Sequence, residues 1–263
     1  MSRIASVFTR ANHIALIPYI TVGYPNIETT LKIVPLLASG GCDIIELGIP
    51  FSDPLADGAT IQRASYEALR QGITLRSCFE VAQELRQRVE IPLVFMTYYN
   101  PVLKFGLEQF CSKCAEVGID GLIIPDLPPE EGQELEQSIR RYGLDIIYLL
   151  SPASTEARIK LVTDRSSGFI YLVSLTGVTG ARNQLPKELE GFVAIVRERT
   201  KKPLCVGFGV STPEQARRIA NVADGVIVGS RVIQLLDEDI EKPDKSNNYE
   251  NTCSFIKCLR ESL

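Results

Sequence analysis

The side chains best equipped for chemistry are carboxylates, concentrated in one stretch: Ile45-Glu46-Leu47-Gly48-Ile49-Pro50-Phe51-Ser52-Asp53-Pro54-Leu55-Ala56-Asp57-Gly58. Glu46 stands in an otherwise apolar run, Asp43 to Leu47, short enough to be a strand. Alternation with period two puts Ile44 and Glu46 on one face and Ile45 and Leu47 on the other. If the first face is buried, desolvation raises the carboxyl pKa toward neutrality, as a general acid/base requires. A Glu at a strand end on the surface, or in an ion pair, would read the same way. Asp53-Pro54 and Asp57-Gly58 are ordinary turn dipeptides. A carboxylate on a strand facing one on a loop can also protonate one substrate atom while polarising another.

A second group could hold an anion. Gly207-Phe208-Gly209 and Gly229-Ser230 end two apolar runs, and Thr212-Pro213-Glu214-Gln215 has the N-cap, N1 proline and capping-box residue of a helix start. Glycine lets the backbone approach an anion, and a helix N-terminus offers it N–H groups. Each pair alone is weak, because glycines at such turns are common for steric reasons; together they point to a phosphate site. Ser174-Leu175-Thr176-Gly177-Val178-Thr179-Gly180 has the composition of a lid. No metal site is expected. His13 is the single histidine and reads as structural. Cys111 and Cys114 have redox or metal spacing but no second Cys/His pair, and on a helix both thiols would share a core-facing stripe.

Eight short apolar runs must position these groups: Ile14–Ile20, Asp43–Leu47, Pro92–Thr97, Asp120–Ile124, Asp145–Leu149, Gly168–Val173, Pro203–Gly207 and Ala223–Val228. Helical periodicity fills the intervals at Thr29–Ser39, Thr74–Val89, Leu107–Val117, Glu130–Tyr142, Thr155–Arg165, Leu185–Thr200 and Pro213–Asn221, with another helical pattern beginning near Thr60. This alternation predicts an α/β fold, a (β/α)8 TIM barrel with residues 1–263 as one domain; a doubly wound open sheet is the alternative. The excess chain after the second and sixth strands, Pro50–Gly72 and Ser174–Gln184, would lie on the barrel's active-site face. Asp237–Asn251 is expected to be a mobile surface loop before a last helix, Thr252–Ser262.

The 263 residues, 45% hydrophobic, suffice for a large core. The net charge of −4 supplies no global field for nucleic acid or anionic lipid, so any phosphate must be gripped locally. Seven cysteines, an odd number, suit a reducing cytoplasm better than a disulfide framework. No apolar run is long enough to span a membrane, and no signal peptide is expected.

Taken together, these segments resemble the tryptophan synthase α-subunit family. The matching stretches are Ile17-Pro18-Tyr19-Ile20-Thr21-Val22-Gly23-Tyr24-Pro25, the Ile45–Gly58 stretch, Thr97-Tyr98-Tyr99-Asn100-Pro101, Pro125-Asp126-Leu127-Pro128, Tyr171-Leu172-Val173-Ser174 with Thr176–Gly180, and Gly207-Phe208-Gly209-Val210. The Leu47–Gly58 part is the most specific. The resemblance implies retro-aldol cleavage of indole-3-glycerol phosphate to indole and glyceraldehyde 3-phosphate, without metal or organic cofactor. It implies Glu46 as general acid/base and Asp57 as the partner of the indole N–H. Tyr171 is implied beside Glu46, with Tyr19, Ile61, Tyr98 and Phe208 lining the indole pocket. Thr179 would meet Asp57 on closure, and Gly180, Gly209, Gly229 and Ser230 would surround the phosphate. It further implies an α2β2 assembly with a pyridoxal-phosphate-dependent β subunit, against which Ser52, Asp53 and Pro54 would lie. Ser151-Pro152-Ala153-Ser154 departs from the family in lacking paired threonines. A different phosphate-binding barrel enzyme is a rival, but no expected strand end carries the lysine of a Schiff-base aldolase. A non-catalytic regulator would have no use for both Glu46 and Asp57.

Overall fold

Apolar runs this short can bury both faces only if a sheet is covered on one side by helices and on the other by itself. The computed structural model, which describes residues 1–173, 188–207, 209–241 and 249–263, shows that solution. Among the described residues nine strands run parallel: β1 (Ala15–Thr21), β2 (Ile45–Gly48), β3 (Leu93–Met96), β4 (Gly121–Ile123), β5 (Asp145–Ile147), β6 (Leu149–Leu150), β7 (Ile170–Val173), β8 (Leu204–Gly207) and β9 (Gly225–Val228). Their order is β5-β4-β3-β2-β1-β9-β8-β7-β6. The expected eight strands become nine because the fifth is broken at Tyr148. Its first half pairs with β4 and its second with β7, so this one extended segment joins the two ends of the sheet. The result is the (β/α)8 barrel.

The helices are α1 (Arg3–Val7), α2 (Ile27–Ser39), α3 (Ala59–Arg70), α4 (Leu75–Arg86), α5 (Tyr99–Phe105), α6 (Leu107–Glu116), α7 (Gln133–Arg141), α8 (Glu156–Arg165), α9 (Glu188–Arg197), α10 (Pro213–Ala220), α11 (Ser230–Ile240) and α12 (Glu250–Ser262). Strand alternation divides the core. Ile17, Ile44, Val94, Ile123, Ile147 and Ile227 fill the lumen, while Leu16, Ile45, Leu93, Phe95 and Leu122 pack outward under the helices. Cys111 and Cys114 are buried on α6, as a core stripe requires.

The N-terminal mouth is closed by α1, whose Ile4 lies over Gly121 and Gly168. Around this mouth a device repeats. Asp43, Asp120 and Asp224 each accept the N–H of the first or second residue of a neighbouring strand, from Leu16, Leu93 and Leu204 at 2.9, 2.9 and 2.7 Å. Each also pairs with an arginine: Arg260, Arg86 and Arg197 respectively. His13 belongs here too, its Nε2 lying 2.6 Å from Asp43.

The tail differs from expectation. Asp237 to Ile240 are the last residues of α11, not loop, and Glu250 and Asn251 already belong to α12. Asp239 explains the acidic run: its carboxylate accepts the N–H groups of Asn251 and Thr252, both at 2.9 Å, holding the start of α12. Among the described residues no helix is long and apolar enough to cross a membrane.

Candidate active site

Glu46 points into the lumen from β2, in register with Tyr19 on β1 and Val94 on β3. It is 1% exposed, and its Oε1 has no hydrogen-bond partner among the described residues. Burial pushes the carboxyl up to about 8. It is therefore mostly protonated at neutral pH and can give a proton.

Asp57 is held by its loop. Its N–H donates to the Pro54 carbonyl at 3.0 Å, the Ala56 N–H donates to the Tyr98 hydroxyl at 3.0 Å, and the Gln62 amide donates to the Asp57 carbonyl at 2.8 Å. Phe51 stacks on Tyr98 with ring centroids 5.1 Å apart. Burial raises the Asp57 carboxyl to about 6, and the Tyr98 hydroxyl partly opposes the rise. Two carboxylates in one cavity thus have separated affinities for a proton.

Tyr19 and Tyr171 stand beside them. A Cβ on Gly48 would lie 2.0 Å from the Tyr19 hydroxyl, and one on Gly207 would lie 2.4 Å from that of Tyr171. These two strand-end glycines make room for the phenols. Burial, with the nearby carboxylates, drives both phenol pKa values upward, so they remain protonated.

Across the cavity lie two helix starts. The α10 start is a complete capping box: the Thr212 side chain accepts from the Gln215 N–H, and the Gln215 side chain accepts from the Thr212 N–H. Gly209 holds φ at +92°, which favours glycine. Gly229 caps α11, leaving Ser230 in its first turn. The cleft encloses about 750 Å³ of space, part of it open to solvent.

Tyr19, Glu46, Asp57, Ile61, Tyr171, Gly209, Gly229 and Ser230, all expected from the sequence, line this cleft together. Tyr98 stands behind Asp57. Ser52, Asp53 and Pro54 lie outside the cleft, with Ser52 and Asp53 exposed. Thr179, Gly180 and Phe208 fall outside the described residues, as does the expected lid, Ser174–Gln184. Sequence reasoning missed Met96, Ile227, Ser211, Arg231 and Gln234, which also line the cleft. Period two counted forward from Val94 to Met96 and back from Gly229 to Ile227 would have found the first two; Arg231 and Gln234 needed α11. Among the described residues no group of three His, Cys, Asp or Glu side chains could hold a metal ion.

A family model described as tryptophan synthase alpha chain matches residues 6–260. The tryptophan synthase alpha chain of Dehalococcoides mccartyi is 56% identical over 263 residues, covering 100% of each chain. That of Geobacter sulfurreducens is 44% identical over 100% of this chain and 99% of its own. Among solved structures, tryptophan synthase subunit alpha from Legionella pneumophila superposes with a TM-score of 0.92 at 34% identity, covering 100% of this chain and 98% of that one. A chain of Mycobacterium tuberculosis tryptophan synthase gives 0.90 at 37% identity, covering 99% and 98%.

Proposed function

Because the chain belongs to the tryptophan synthase alpha chain family, lyases that cleave indole-3-glycerol phosphate, we propose that the cleft at the C-terminal end of its barrel performs that cleavage with Glu46 and Asp57. The observation that carries the assignment is the pair of buried carboxyls with different proton affinities, about 8 and about 6, facing one cavity.

The chemistry follows from those values. Protonated Glu46 gives its proton to C3 of the indole, and the ring becomes an indoleninium cation. Asp57, ionised near pH 7, accepts the ring N–H and stabilises that charge. The Glu46 carboxylate then takes the proton from the hydroxyl on the side-chain carbon bonded to C3. As that oxygen becomes a carbonyl, the bond from C3 to its carbon breaks, its electron pair returns to the ring, and indole and glyceraldehyde 3-phosphate separate. The proton ends where it began, so neither a metal nor an organic cofactor enters the reading. Tyr19, Ile61 and Tyr171 frame the indole, with Tyr98 behind Asp57 and Phe208 assigned to the pocket by sequence. The N–H groups at Gly209, Gly229 and Ser230, with Gly180 assigned by sequence, hold the phosphate.

The partner in this reading is a pyridoxal-phosphate-dependent β subunit in an α2β2 assembly, which consumes the indole. Ser52, Asp53 and Pro54, on the outer part of the loop that carries Asp57, face it, with Thr179 assigned by sequence as the residue that meets Asp57. The reaction needs no membrane or nucleic acid, and a cytoplasmic location suits it.

The test is release of indole from indole-3-glycerol phosphate by the purified chain, alone and with a β subunit. Asp57→Ala should lose most of the rate. With an analogue lacking the ring N–H, wild type and variant should differ little, and a large remaining gap would contradict the role given to Asp57.

A further inference from the structure

The cleft is lined by two acids and by the two helix starts read above as the phosphate site, yet among the described residues that line it there is a single basic side chain, Arg231. In a protein of net charge −4, a phosphate entering beside Glu46 and Asp57 needs a local cation. Arg231 is in the first turn of α11, next to Ser230, and Gln234, one turn on, lines the same cleft.

The guanidinium has weak partners along its own helix. It donates to Glu238 Oε1 at 3.0 Å and to Gln234 Oε1 at 3.5 Å. The Glu238 side chain is 49% exposed, and an ion pair of that kind contributes at most about 1 kcal/mol. A guanidinium facing a phosphate dianion forms charge-assisted bonds in a matching fork. The arm that reaches two turns along α11 to Glu238 is long enough to turn back to the N-terminal end of the helix.

We propose that Arg231 is a phosphate-binding residue of this enzyme: it leaves Glu238 when the substrate docks and sets the preference for a phosphorylated substrate. This rests on the reading that the phosphate occupies the Gly209–Ser230 end of the cleft. Backbone N–H groups position the phosphate, and Arg231 supplies the countercharge they lack.

The probes are 3-(indol-3-yl)propyl phosphate, which cannot be cleaved, and the corresponding alcohol without phosphate, titrated calorimetrically against the intact chain. Wild type should prefer the phosphorylated probe strongly. Arg231→Gln should weaken that probe about tenfold or more, leave the alcohol unchanged, and raise KM for indole-3-glycerol phosphate with kcat altered less than about threefold. Arg231→Lys should recover part of the loss. Glu238→Gln, which frees the arginine, should tighten the phosphorylated probe up to about threefold, and only while Arg231 is present. Wild type that binds both probes equally would overturn the phosphate reading and this proposal with it. Wild-type preference that persists undiminished in Arg231→Gln would overturn the role of Arg231 alone. A gain from Glu238→Gln that survives in the double variant R231Q/E238Q would overturn the exchange of partners on which the proposal depends.

Discussion

Glu46 is placed where its charge is least tolerated, and function and stability therefore pull in opposite directions at this residue. A carboxyl raised from its ordinary value to about 8 binds its proton more tightly in the folded state than in the unfolded chain. Its favourable linkage is fully present below the unfolded pKa and is lost as pH rises through about 8. Glu46→Gln, uncharged at every pH, should be more thermostable than wild type, by a margin that widens between pH 5 and 8. Melting temperatures across that range check this, and a constant or shrinking margin would mean that the carboxylate is solvated in the folded state. The same substitution should cut turnover by roughly 10²–10⁴-fold while leaving substrate binding nearly intact. In the proposed mechanism the active form has Glu46 protonated and Asp57 ionised, so kcat/KM should fall below about pH 6 and above about pH 8. Asp57→Asn should abolish the acidic limb of whatever activity survives, and a surviving limb near 6 would assign it to another group.

At the level of elements, legibility tracked periodicity. The strand runs are apolar along nearly their whole length, and their alternation with amphipathic segments was enough to give the barrel and to put Glu46 on the face of Ile44; that this face is the buried lumen came from the structure. What failed was short or masked by charge. α1 and α5, at 5 and 7 residues, are too brief to show a helical period. α11 is absent from the sequence expectation, and its last turn, Asp237, Glu238 and Asp239, reads as loop; in the fold these carboxylates pair with Arg63, with Arg231 and with the start of α12. The break at Tyr148 was equally invisible, because it reflects a change of pairing partner and leaves the apolar pattern intact. In the sequence Asp43, Asp120 and Asp224 show only as the first or second residues of apolar runs. Each satisfies a strand N–H that the ladder leaves open, and losing one exposes both that donor and an arginine. Asp120→Ala should therefore cost about 1–3 kcal/mol in denaturant unfolding with kcat/KM unchanged. A kinetic loss comparable to the stability loss would show that the two mouths of the barrel are not independent.

Across the whole molecule, the aspartate–arginine contacts cluster at one mouth and the proposed chemistry lies at the other, and the loop after β2 connects that site to the outside. Within a few residues it runs from exposed Ser52 and Asp53, past Leu55 at 91% exposure, to Asp57 at 5%. The turn that closes it, from the Asp57 N–H to the Pro54 carbonyl, is short enough that a partner resting on Pro54 also rests against the backbone of a proposed catalytic residue. Further along, the Ala56 N–H on the Tyr98 hydroxyl ties the same turn to the pocket wall. A β subunit that packs on this tip can therefore raise the rate by narrowing the positions open to Asp57, without contributing any group of its own. Asp53, exposed, hydrogen-bonded to the Ser52 hydroxyl at 2.5 Å and not itself a lining residue, separates the two roles. Asp53→Ala should leave the melting temperature and the unassisted turnover of the isolated chain close to wild type. It should weaken association with the β subunit, measured by sedimentation, and reduce the partner-stimulated rate in proportion at subsaturating β. If association were undiminished while unassisted turnover collapsed, the loop tip would be catalytic machinery. If association weakened but the rate at saturating β returned fully to wild type, Asp53 would contribute to docking only, and the positioning of Asp57 would have to come through Pro54 and Leu55.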